Sequence, residues 1–167
     1  MKHSETFTIT AHSDREIVVM RVFDAPRRLV FDAYTKPEMV KRWLLGPDGW
    51  SMPVCEIDLR AGGTYRYVWR QDSTGKEMGM GGVYREVVAP ERFVATEIFD
   101  EAWYPGEAVD TIVFVERAGK TTMTQTILYD SRETRDAVLK SPMQKGMAMS
   151  YDRLEGVLPL VSAVVSA

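Results

Sequence analysis

From Val54 to Tyr129 the chain carries six segments that alternate apolar and polar residues or are rich in β-branched ones: Val54–Arg60, Thr64–Arg70, Gly81–Val88, Arg92–Phe99, Val109–Glu116 and Thr121–Tyr129. Turn-forming residues separate them: Ala61-Gly62-Gly63, Asp72-Ser73-Thr74-Gly75, Ala89-Pro90-Glu91, Arg117-Ala118-Gly119-Lys120 and a longer loop through Trp103-Tyr104-Pro105-Gly106. A parallel crossover needs a dozen or more residues, so connections this brief predict an antiparallel meander. A sheet with one apolar face has to bury it. The only large apolar stripe left is Met143, Met147, Tyr151, Leu154, Leu158 and Val161, spaced by threes and fours on one face of a closing helix that Pro159 ends or bends. The sheet is expected to curl around that helix.

The N-terminal part completes the order. Glu16 to Asp24 reads as a strand bounded by Ala25-Pro26, and Leu29, Val30, Ala33 and Tyr34 then form a narrow helical stripe. A second short helix is predicted from Thr35, with Glu38 completing a capping box and Met39, Val40, Trp43 and Leu44 facing inward until Gly46-Pro47-Asp48-Gly49 stops it. Asp130 with Glu133 marks another helix start, and Ser141-Pro142 breaks or kinks that helix. The expected architecture is α+β: a helix-grip fold with two short helices after the first strand. Residues 1–14 read as a flexible leader in which Phe7-Thr8-Ile9-Thr10 is able to pair as an edge strand, 15–160 as the domain and 161–167 as a C-terminal tail.

Composition narrows function by exclusion. A net charge of -3 without clustered Lys or Arg leaves no electrostatic footprint for nucleic acid. The longest apolar stretch, Val157 to Ala167, is too short for a membrane span, which needs roughly 20 residues. The expected location is the cytoplasm. Cys55, the single cysteine, forms no disulfide within the chain and reads as packing.

Several blocks together resemble a known superfamily. They are Arg21-Val22-Phe23-Asp24-Ala25-Pro26 with Val30-Phe31, Tyr34-Thr35-Lys36-Pro37-Glu38 with Arg42-Trp43, Gly46-Pro47, Asp58-Leu59-Arg60-Ala61-Gly62-Gly63, Gly82 to Val87 before Pro90-Glu91-Arg92, and Asp152-Arg153-Leu154. The chain resembles the START-like, Bet v 1-like (SRPBCC) superfamily, in its branch similar to the C-terminal domain of the activator of heat shock protein 90 ATPase. One departure is that many relatives carry a tryptophan after the glycine of the last helix, where this chain has Met147, Ala148 and Met149 after Gly146. The resemblance implies the helix-grip fold. It leaves function open among ligand carriers, cyclases and co-chaperone domains.

The residues themselves supply no catalytic centre. Histidine occurs only at His3 and His12 in the leader, asparagine nowhere, and Gly79 and Gly81 begin a GxGxxG that Tyr84 breaks. Neither catalytic nor metal-ligating residues are assigned, and no cofactor is called for. Gly79 to Gly82 reads as a thin or bulged strand approached closely by another element. Arg21 and Glu97 share parity with apolar neighbours and are expected to point inward as a structural ion pair or a polar anchor for a ligand. Tyr65, Tyr67 and Trp69 lie on one strand face, and with Trp43, Trp50, Tyr84, Glu97, Trp103, Met147 and Tyr151 they form the candidate ligand pocket. The leading expectation is a non-catalytic module holding a small hydrophobic or aromatic molecule between sheet and final helix. A co-chaperone-like protein-interaction domain, a cyclase or hydrolase using pocket Glu and Tyr groups, and pairing as a homodimer remain alternatives.

Overall fold

A computed structural model describes residues 7–166, with side chains to Pro159. The elements run in the order β1 (Thr8–His12), β2 (Glu16–Phe23), α1 (Arg27–Thr35), α2 (Pro37–Trp43), β3 (Trp50–Ile57), β4 (Thr64–Gln71), β5 (Glu77–Val88), β6 (Arg92–Phe99), β7 (Ala108–Arg117), β8 (Lys120–Leu128), α3 (Arg132–Lys140) and α4 (Met143–Ser166). The eight strands form one antiparallel sheet ordered β1-β2-β8-β7-β6-β5-β4-β3. From β3 to β8 this is the meander that the short turns predict. β2 then joins β8, with Glu16 opposite Leu128 and Phe23 opposite Thr121. The fold is α+β and helix-grip: the inner face of the sheet closes on α1, α2 and α4, where Tyr151, Leu154 and Leu158 are buried.

Local expectations meet tertiary constraints at several points. Thr8 to Thr10 belong to the edge strand β1, where Ile9 faces Val19, with Phe7 just before it; Met1 to Thr6, at the start of the N-terminal leader, lie outside the described residues. The helix α4 continues through Pro159 to Ser166, and the side chain of Val161 in its stripe lies outside the described residues. The Thr35 capping box does not form. Pro37 at the start of α2 holds Lys36 extended as the cap residue, while the buried Thr35 hydroxyl ends α1 by donating to the Phe31 carbonyl. At α3 the cap is Ser131, one residue after Asp130, and it accepts from the Thr134 N–H.

The glycines of β5 do what a thin strand predicts. A Cβ at Gly82 would collide with the Thr96 carbonyl of β6, and one at Gly81 would press on the Tyr65 carbonyl of β4. The register between β5 and β6 shifts between Tyr84 and Glu86. Strand backbones thus close up beside the bulky aromatic face of β4.

Candidate functional site

Alternation along β4 turns Tyr65, Tyr67 and Trp69 inward, and the register sets them opposite Gly82, Met80 and Met78 of β5. Tyr65 and Tyr67 lie at 5.0 Å between ring centroids, and Trp69 meets Tyr67 edge-on at 5.8 Å. From the helical side, Trp43 of α2 lies against Tyr34 at 4.8 Å and Tyr151 of α4 at 6.2 Å. Between these walls runs a cavity of about 460 Å³. All ten residues of the sequence-derived pocket border it: Trp43, Trp50, Tyr65, Tyr67, Trp69, Tyr84, Glu97, Trp103, Met147 and Tyr151. Trp103 is half exposed, packed on Phe99 and Tyr104.

Several rings are pinned by their polar atoms. The Trp43 indole donates to the Ala33 carbonyl at 2.9 Å, the Trp69 indole to the Leu44 carbonyl at 2.7 Å, and the Tyr65 hydroxyl to the Thr96 carbonyl at 2.6 Å. The Tyr34 and Tyr151 hydroxyls face each other. Tyr67, Tyr84 and Tyr129 also border the cavity, and their hydroxyls make no hydrogen bond with another described residue. Burial raises the Tyr67, Tyr84 and Tyr129 hydroxyls above the ordinary phenol range, so all three remain donors at neutral pH. Cys55 lies opposite Tyr67 in β3, its thiol pushed up to about 11 mainly by burial, which leaves it protonated and unreactive.

The sheet register brings together a polar cluster of which the sequence reading names only Glu97. Glu97 on β6 pairs with Ala108 of β7 and Ala95 with Asp110, so the two carboxyls are diagonal neighbours on the inner face. The Gln125 amide of β8 donates to Asp110 at 3.2 Å, and the Tyr104 hydroxyl donates to Glu97 at 3.1 Å. Asp110, Gln125, Tyr104 and Tyr129 are absent from the sequence-derived pocket. A signal for Asp110 exists: it shares parity with Ile112 and Phe114 on β7, the criterion that picks Glu97.

Arg21 and Glu97 are not partners. Arg21 is fully buried, as its parity predicts, but its guanidinium meets Asp152 of α4 at 3.0 Å and lies over the rings of Phe23 and Tyr151. In the sheet β8 and β7 stand between β2 and β6, whereas α4 brings Asp152 directly over the inner face of β2. Each residue of the Asp152-Arg153-Leu154 block therefore has its own contact. Arg153 donates to the Gly46 carbonyl at 2.6 Å and pairs with Asp48, and Leu154 fills the core. Nearby, Ser150 accepts from the Gly46 N–H.

Burial, and then the adjacent Glu97, hold the Asp110 carboxyl well above the usual carboxylate range, with the Gln125 contact pulling the other way. The folded chain therefore keeps a proton that the unfolded chain releases near pH ~4. Its stabilising contribution is complete below that pH and is lost as pH rises through the folded-state value. Asp110→Asn is expected to melt a few degrees above the parent at pH ~8, the gap shrinking toward pH ~4. A gap that does not change with pH would show that Asp110 is not displaced.

Among the described residues, no group of three or more His, Cys, Asp or Glu is placed to hold a metal, and no helix is long and apolar enough to cross a membrane. A family model described as activator of Hsp90 ATPase homolog 1-like protein matches residues 24–159. The fold is similar to that of a Rhodobacter sphaeroides protein, with 28% identity and a TM-score of 0.87 over 93% of this chain and 99% of the other. A Nitrosomonas europaea protein is similar at 22% identity and a TM-score of 0.79, over 92% of this chain and 99% of that one. An AHSA1-like protein from Aeromonas hydrophila gives 18% identity and 0.69, over 85% and 93%. No curated protein matches the chain.

Proposed function

We propose that this chain, which belongs to the activator of Hsp90 ATPase homolog 1-like family, is a cytoplasmic binding module that encloses one small, largely apolar molecule between its sheet and α4. The observation that carries this reading is the cavity of about 460 Å³ walled by Trp43, Tyr67, Trp69, Tyr84, Met147 and Tyr151. That volume lies in the range of small-molecule sites, roughly 300 to 1,000 Å³, and apolar walls with few convergent polar groups are their usual composition. Met143 and Met147 stand on the α4 side, where flexible thioethers adapt to the shape of an occupant.

Native mass spectrometry of the purified protein beside its denatured mass tests whether a molecule travels with it. Thermal melting against a panel of aromatic and aliphatic compounds tests the empty form. A ligand at about 100 times its Kd stabilises by about 2.7 kcal/mol, which for a chain of this size raises Tm by about 5–10 °C. A protein that carries no extra mass and that no apolar compound stabilises would sink this reading.

A further inference from the structure

The polar end of the cavity selects a class of ligand. Its walls are aromatic and thioether-bearing, and among the residues that border it Glu97 and Asp110 are the charged ones; none is Lys, Arg or His. The nearby buried guanidinium, Arg21, is turned toward Asp152. Asp110 is only 6% exposed, and Tyr67 and Tyr129, at 8% and 3%, border the same space within electrostatic reach of both carboxyls, with hydroxyls that make no hydrogen bond to another described residue. The cavity therefore has polar groups without protein partners at the place where its negative charge is concentrated.

We infer that the occupant is a hydrophobic amine whose protonated nitrogen is held by the Glu97 and Asp110 carboxyls while its apolar body lies among the Trp43, Trp69 and Tyr84 rings. This deepens the ligand-pocket reading and rests on it. The groups facing the nitrogen are Glu97 from β6, Asp110 from β7, Gln125 from β8, Tyr129 from the loop after β8, and Tyr65 and Tyr67 from β4, while Tyr104 acts on the site through the hydrogen bond it donates to Glu97. Even with one proton held between them, two carboxyls keep one negative charge. An ammonium supplies several N–H donors to that charge, and an aromatic wall attracts a cation further. A carboxylate occupant meets the opposite situation. It brings a second negative charge into a low-dielectric site that has no cation to receive it, which costs affinity. A neutral alcohol fits sterically but gains only one ordinary hydrogen bond, about half the strength of a charge-assisted one.

The test is calorimetric titration of the full chain with three matched probes: naphthylmethylamine, naphthylmethanol and naphthoate. The amine is expected to bind at least about tenfold more tightly than the alcohol, and naphthoate most weakly. In the double variants Glu97→Gln/Asp110→Asn and Glu97→Gln/Asp110→Ser, each of which removes both carboxyls, the preference for amine over alcohol should collapse to below about threefold, whereas a single substitution leaves one carboxyl to carry the negative charge. Two variants are used so that a folding defect in one leaves the other decisive. An alcohol or naphthoate that binds as well as the amine, or a preference unchanged in both folded variants, would overturn the amine assignment alone. Failure of all three probes, together with no stabilisation across the wider panel, would overturn the pocket reading as well.

Discussion

Trp43→Ala is expected to destabilise the protein by about 4 kcal/mol, the range for removing a buried large aromatic side chain being about 3–5 kcal/mol. Trp43 is 1% exposed, its ring lies against both Tyr34 and Tyr151, and its indole N–H satisfies the Ala33 carbonyl near the end of α1. Truncation removes all three interactions and opens the floor of the cavity, where the rigid rings of Tyr34 and Tyr151 are poorly suited to refill it. Chemical denaturation measures the loss directly, and the accompanying fall in Tm should be about 8–16 °C. Trp103→Ala is the control. Half exposed on a loop, Trp103 should cost no more than about 1 kcal/mol. A Trp43→Ala variant that loses less than about 1.5 kcal/mol would mean that the aromatic floor does not hold α2 against α4.

The second large effect is an asymmetry across the Arg21–Asp152 pair. Arg21 is fully buried, whereas the Asp152 side chain is 60% exposed, and Nε and Nη1 of Arg21 have no hydrogen-bond partner among the described residues. Asp152→Ala leaves a buried cation without its counter-charge, and breaking such a pair from one side costs about 3–5 kcal/mol. Because Asp152 is itself well solvated, the lower end, about 3 kcal/mol, is expected. Arg21→Met removes the charge and fills similar volume between Phe23 and Tyr151. Exchange of a buried charge for a packed apolar side chain is often neutral, so this change should stay within about 1 kcal/mol. Unfolding free energies of the two variants and the parent decide the matter. If Arg21→Met proves the more damaging, the guanidinium contributes through its own contacts rather than through Asp152.

The strands, their antiparallel order and the gripping helix are legible in the sequence because each rests on local periodicity. Alternation in Thr64 to Arg70 shows that Tyr65, Tyr67 and Trp69 share a face, and threes and fours after Pro142 show that Met147, Tyr151, Leu154 and Leu158 share another. Two faces that both must be buried have little choice but to meet. That is why the aromatic residues that line the cavity can be named without coordinates. The same rule reports that Arg21 and Glu97 point inward, yet carries no information about what each meets there.

Partners across elements were decided by tertiary structure. Diagonal placement of Glu97 beside Asp110 comes from the β6–β7 register, and the choice of Asp152 for Arg21 from where α4 crosses β2. The caps at Lys36 and Ser131 show the same principle at shorter range, since Pro37 makes Lys36, whose side chain caps nothing, the first flanking residue of α2 in place of Thr35, and the path of the chain after β8 selects Ser131 over Asp130. Side-chain direction is a property of neighbours two or four residues apart, and the sequence determined it by itself. Which inward groups become partners depends on register, sheet curvature and helix placement, each set by the packing of the whole core, and only the folded chain fixes those.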